Sequence, residues 1–283
     1  MVLLLWLQLR PGLRILKTQM DIDLAEAGKP PQKLRKLLKH LSPEPDPETV
    51  HELRTQTRKL EAVLHALSPR NTSEARHLLR LMKPVRRAAG RVRDMDVLIA
   101  KATSLSSPAQ SEGVIRLIEH MSAIRTADAR RLHRKVKRRR KQARAWLSHL
   151  LRNLHRLRSP NHPGLPVSAD SPQILVQKLD HWPPLNQQNL HEFRKSVKEL
   201  HYLLQLFPAH DGPRMTSYAN VKDTVGDWHD WMELSCLAES LLAPKQDAPL
   251  LREIRRTLQE KLRAALVAAN SLRKTGIEMP HAA

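Results

Sequence analysis

Residues 47–67 read PETVHELRTQTRKLEAVLHAL, and residues 185–207 read LNQQNLHEFRKSVKELHYLLQLF. Wound at 100° per residue, the first stretch gathers His51, Arg54 and Arg58 into a stripe about 60° wide. Leu53, Leu60, Val63, Leu64 and Leu67 fall on the opposite side. The second stretch divides the same way. His191, Arg194, Lys195, Lys198 and Tyr202 lie together, and Phe193, Val197, Leu200, Leu204 and Phe207 oppose them. An apolar stripe at helical period predicts a packed helix, and here the outer face is selectively cationic.

The two stretches also share a pattern, His-Glu-x-Arg followed by a basic residue four places on, with His51 and His191 140 positions apart. Farther along, Gly90-Arg91-Val92-Arg93-Asp94-Met95 matches Gly226-Asp227-Trp228-His229-Asp230-Trp231 at an offset of 136. Two matches in the same order at nearly one offset point to internal duplication. Around them the chain reads as helix, with 8 glycines, no β-branched runs, and 20 prolines placed mainly where helices begin or end. Helices are expected at about 31–42, 47–67, 73–104, 111–157, 171–182, 185–207, 213–243 and 246–275. The expected fold is all-α, two similar four-helix bundles. Residues 1–29 would be an N-terminal extension, 30–158 the first bundle, 159–170 a Pro-rich linker and 171–283 the second bundle.

Charge is the unusual quantity, a formal +21 over 283 residues. Residues 1–160 hold 35 Lys and Arg against 14 acids, whereas residues 161–283 hold 14 of each. Such an excess predicts polyanionic partners, heaviest on the first half. Arg80, Lys83, Arg87 and Arg91, preceded by Arg76, form a row of like charges on the third helix. The fourth contains HRKVKRRRK at 133–141, including Arg134, Lys137, Arg138 and Lys141, and keeps a leucine stripe beneath it. Like charges at these spacings repel, so an unpaired row suits a surface on which an anion will sit.

Other chemistry has little support in the sequence. Cys236 stands alone, which rules out a disulfide framework and fits a reducing, cytoplasmic setting. Met1–Leu9 is apolar, but no basic residue precedes it, and it is too short to span a bilayer. The 15 histidines form no HxxxH or HExxH pair, so no metal or cofactor is expected. Asp94, Asp96 and Asp230 are expected to orient neighbouring guanidiniums rather than hold Mg²⁺. Phosphate loops and nucleophile–base arrangements are absent, which argues against catalysis. Aromatic residues make up 3% of the chain, too few for base stacking by a single-strand binder. A nonspecific DNA or RNA binder and a metal-assisted phosphohydrolase stay as alternatives to a flexible phosphate chain as the partner. The oligomeric state is not legible.

His51–Arg58, Gly90–Val97, His191–Tyr202 and Gly226–Asp230, in this order, make the chain resemble the CHAD family of helical domains. The resemblance implies two four-helix bundles related by a pseudo-twofold axis, with a basic surface or channel that binds inorganic polyphosphate without catalysis. It also implies a role for His51, Arg54, Arg58, Arg93, His191, Arg194, Lys195, Lys198 and His229 in lining that site, and localisation at polyphosphate granules. One departure is His229, which stands where the first half has Arg93.

Overall fold

The computed structural model describes residues 22–67, 73–105, 111–158, 170–207 and 213–274. Among them are eight helices and no strand: α1 (Leu24–His40), α2 (Pro47–Leu67), α3 (Ser73–Ser104), α4 (Ser111–Leu157), α5 (Asp170–Asp180), α6 (Leu190–Leu204), α7 (Pro213–Leu241) and α8 (Ala248–Lys274). All eight expected helices are present. Residues 1–21, most of the proposed extension, and 159–169, nearly all of the proposed linker, lie outside the described residues.

The two largest departures from the expected boundaries have local reasons. Helix α1 starts at Leu24 rather than near 31, because the Asp23 carboxylate accepts hydrogen bonds from Ala25 N at 2.7 Å and Glu26 N at 3.2 Å. The helix then runs through Pro30 and Pro31, both buried, so residues 22–29 belong to the packed fold. Helix α6 starts at 190 rather than 185. Asn186 Oδ1 accepts from Gln188 N and Asn189 N, and Asn189 Oδ1 accepts from Asn186 N, which holds a turn in place of the expected first helical turn.

In the first half α1 packs on α2 and α4, and α3 packs on α2 and α4, around Leu34, Leu53, Leu60, Val85, Leu132 and Leu147. In the second half α5 meets α6, α6 meets α7 and α7 meets α8, around Phe193, Val197, Leu200, Tyr218 and Trp228. Between the halves α2 touches α6 and α3 touches α7, the pairs that the sequence offsets equate. A twofold-related duplication would produce that pairing.

Two further apolar clusters join the halves. Leu98 and Ala102 of α3 and Leu117 and Met121 of α4 pack with Trp231 and Leu234 of α7 and Leu250 and Ile254 of α8. Elsewhere, Ala27 of α1, Val63 of α2 and Leu154 of α4 pack with Leu203, Leu206 and Phe207.

Candidate functional site

Helix α2 is set by the Asp46 cap, whose carboxylate accepts from Thr49 N at 2.8 Å and Thr49 Oγ1 at 2.7 Å, with Pro47 opening the first turn. Those bonds hold the Asp46 carboxyl below its usual range. From that start Val50, Leu53, Leu60 and Val63 go to the core, and His51, Arg54 and Arg58 turn the other way. In α6, Phe193, Val197, Leu200 and Leu204 are buried, and His191, Arg194, Lys198 and Tyr202 turn outward. The two cationic faces look into one open cavity of about 640 Å³, bordered on other sides by α3 and α7.

Nine of the residues singled out from the sequence line it: His51, Arg54, Arg58, Arg93, His191, Arg194, Lys198, Tyr202 and His229. The motif glycines explain how the arginines are seated. Arg54 Nη1 is bonded to Asp94 Oδ1 at 2.6 Å and approaches Gly90 O at 3.4 Å. Arg194 lies over Gly226 and donates from Nε to Lys222 O at 3.0 Å. In each half the arginine of the His-Glu-x-Arg helix thus rests on the glycine of the facing helix. Asp94 therefore orients Arg54 rather than its neighbours Arg91 and Arg93, and Asp96 pairs with Arg125 at 2.6 Å.

The halves differ in how their cations are balanced. Glu61 pairs with Arg86 at 3.0 Å and Arg58 at 3.4 Å. At the 140 offset, the second half carries His201 in place of Glu61. Among the described residues Lys198 has no ion pair, and its ammonium lies 5.8 Å from the centre of the Tyr202 ring. Burial, then the charges of Arg194, Arg54, Arg58 and Lys222, push Lys198 down to about 7. Burial also raises the Tyr202 hydroxyl. His191 stacks on His229 with ring centres 4.2 Å apart. Burial, followed by His229, Lys195 and Arg194, lowers His191 to about 4. His201 is likewise lowered to about 4, first by burial and then by Lys222.

The other nine candidate anion-binding residues, most of them on α3 and α4, do not line this cavity. Lys195 pairs with Glu192 at 2.6 Å and borders an adjoining cavity of about 530 Å³ that shares Arg58, Lys198 and Tyr202. Arg91 pairs with Asp128 at 3.1 Å. Arg80, Lys83, Arg87, Arg134, Lys137, Arg138 and Lys141 are exposed on α3 and α4 and, among the described residues, form no ion pair. The reason is packing: along its basic middle α4 is flanked by α1 and α3, and it meets α7 and the end of α6 through apolar residues nearer its two ends, Leu117 and Met121 at one and Leu154 at the other.

Sequence reasoning missed Lys59, His201, Lys222, Asp223 and Glu233, which also line the cavity. Lys222 could have been found, since it precedes Gly226 by four as Arg86 precedes Gly90. Among the described residues, no group of three His, Cys, Asp or Glu could hold a metal ion. No described helix is long and apolar enough to cross a membrane.

A model of the CHAD domain family matches residues 32–239, and the chain belongs to that family of helical domains. The crystal structure of the CHAD domain from the plant Ricinus communis superimposes with a TM-score of 0.59 at 20% identity, covering 90% of this chain and 93% of that one. This likeness establishes the shared fold. No curated protein matches the chain.

Proposed function

We propose that the chain binds inorganic polyphosphate in the cavity between α2 and α6, without turning it over. The observation that carries this is the convergence of Arg54, Arg58, Arg194 and Lys198 on one cavity, with Lys198 pushed down to about 7 by burial first and then by the charges of Arg194, Arg54, Arg58 and Lys222. A chain of phosphates supplies the missing negative charge. Arginine forks bind its oxygens in pairs and lysine acts as a point charge. Each phosphate carries its own charge, so affinity rises with chain length until the cavity is filled, and it falls steeply with salt. The duplicated bundles, 30–158 and 171–283, belong to this reading, because each then supplies one cationic wall. A cytoplasmic site at polyphosphate granules follows from it.

Calorimetric titration with polyphosphates of defined length tests the proposal, using the wild-type chain and an Arg58→Gln/Lys198→Gln variant. The expected result is at least a tenfold loss in the variant with chain length unchanged after incubation. An unchanged isotherm in the folded variant overturns the site. Shortening of the chain with Mg²⁺ overturns the non-catalytic role.

A further inference from the structure

Away from the cavity, α3 and α4 run antiparallel in constant register. Arg91 Nε meets Asp128 at 3.1 Å, and His77 meets Gln142 at 3.1 Å. Between those two contacts α3 presents Arg80, Lys83 and Arg87, and α4 presents Arg131, Arg134 and Arg138, all six exposed. Residues 75–93 contain no acid, and Asp128 is the only one in 125–158. Asp128 is already shared between Arg91 at 3.1 Å and Arg131 at 3.3 Å. The face is therefore a broad, open cationic surface rather than a salt-bridged one.

Its shape sets the partner. Packed helices lie about 8–10 Å apart, so the two rows are separated by roughly that distance. Each row extends about 10–16 Å at 1.5 Å per residue. A single chain laid along the seam could be reached from both rows, but it would leave the outward-pointing charges of each row without a partner. Two phosphate strands flanking a groove about 6 Å wide would meet both. The face offers no tyrosine, phenylalanine or tryptophan between the rows, so it has no platform for unstacked bases.

We propose that the α3–α4 face is a second anion site, separate from the cavity, which docks duplex nucleic acid by the phosphates on both sides of its minor groove. Recognition is of charge and spacing, so sequence preference is weak. Six neutralised phosphates give a slope of about −5 in log K against log salt.

The test is fluorescence anisotropy on the full chain with two labelled duplexes of unrelated sequence, each about 20 base pairs long. Arg80→Gln/Arg87→Gln/Arg134→Gln/Arg138→Gln is compared with wild type and with Arg58→Gln/Lys198→Gln. All four face arginines are exposed, and matching thermal melts confirm that the variants are folded. The expected result is at least tenfold weaker binding of both duplexes by the face variant, with a slope shallower by about 3–4. Under the same conditions, a short oligophosphate should bind the face variant as it binds wild type. Absence of duplex binding by wild type overturns the proposal. So does duplex binding lost in the cavity variant but kept in the face variant. Loss of long-polyphosphate affinity in the face variant, with duplex affinity intact, also overturns it and makes the face an extension of the polyphosphate path.

Discussion

The guanidinium of Arg194 occupies the space that a side chain on Gly226 would fill, with its Cζ 3.0 Å from where a Cβ would stand. The corresponding distance from Gly90 to Arg54 Cζ is 3.9 Å, an ordinary contact. Alanine in a helix interior is favoured over glycine by roughly 0.5–1 kcal/mol. Gly90→Ala should therefore raise the melting temperature by a few degrees and leave polyanion binding within twofold. Gly226→Ala should gain little or nothing in stability, because Arg194 has to move and its bond to Lys222 O is strained or lost. Its affinity for polyphosphate should fall severalfold. Differential scanning calorimetry with titration of both variants separates the two outcomes.

Lys198 leads to an effect opposite to most truncations. Its folded-state pKa is about 7, well below the ordinary lysine value of 10.5. Between those values the unfolded chain holds a proton that the native chain does not, so stability rises with pH across that window. At pH 7 and below, a charged Lys198 is a burden. Lys198→Met should raise the melting temperature near neutral pH, flatten its dependence from about pH 7 to 10 and weaken polyphosphate binding. Melting curves over that range check the first two points. In wild type at pH 8, binding should take up a proton, visible as a calorimetric enthalpy that varies with the buffer's ionisation enthalpy.

His191 and His201 act in a lower window. Both sit near 4 against an ordinary 6.5, so from pH 6.5 down to 4 the unfolded chain binds protons that the native chain refuses. Stability is lost as pH falls through that range and levels off below it. His191→Asn/His201→Asn should flatten this loss. A polyanion in the cavity favours the protonated rings, so affinity in wild type should rise between pH 7 and 5 and rise less in the double variant. Melting temperature and titration at each pH measure the two effects.

Gly113 provides a test of packing between the halves. A Cβ there would meet Asp247 Oδ1 at 2.8 Å and Leu250 Cδ2 at 2.9 Å. Asp247 cannot yield easily, because it is bonded to Arg116 Nη2 at 2.6 Å and Ala243 N at 2.8 Å. Gly113→Ala should destabilise by about 1–2 kcal/mol, the overpacking cost less the helical gain. Gly28→Ala, with nothing within 4 Å of the new methyl, should stabilise instead. Urea unfolding of the pair decides it.

Much of the fold was readable because the apolar period is regular. Leu53, Leu60 and Val63, and likewise Phe193, Val197 and Leu200, are buried as the helical wheel places them. The missed start of α1 had a signal of its own, Asp23 followed by Glu26, overshadowed by Pro30 and Pro31. The walls contributed by α2 and α6 were legible for the same reason as the core. The role of α4 was not. A wheel tells which side of a helix faces away from leucine, but not which neighbour stands across from it. The most conspicuous basic run, 133–141, therefore drew attention to a face that does not reach the cavity. Lys222 and His201, in less conspicuous surroundings, reach it because α7 and α6 border the cavity.

The apolar clusters that stitch α3 and α4 to α7 and α8, and α1, α2 and α4 to the end of α6, should hold the halves together without the peptide link between α4 and α5. A chain severed there should survive as a tightly held pair of fragments and melt in one step. Neither fragment alone would keep its share of those clusters covered, or possess more than one wall of the cleft. The width of that cleft is then set by buried leucines and tryptophan at its margins, and a polyanion bound as proposed would meet it already formed.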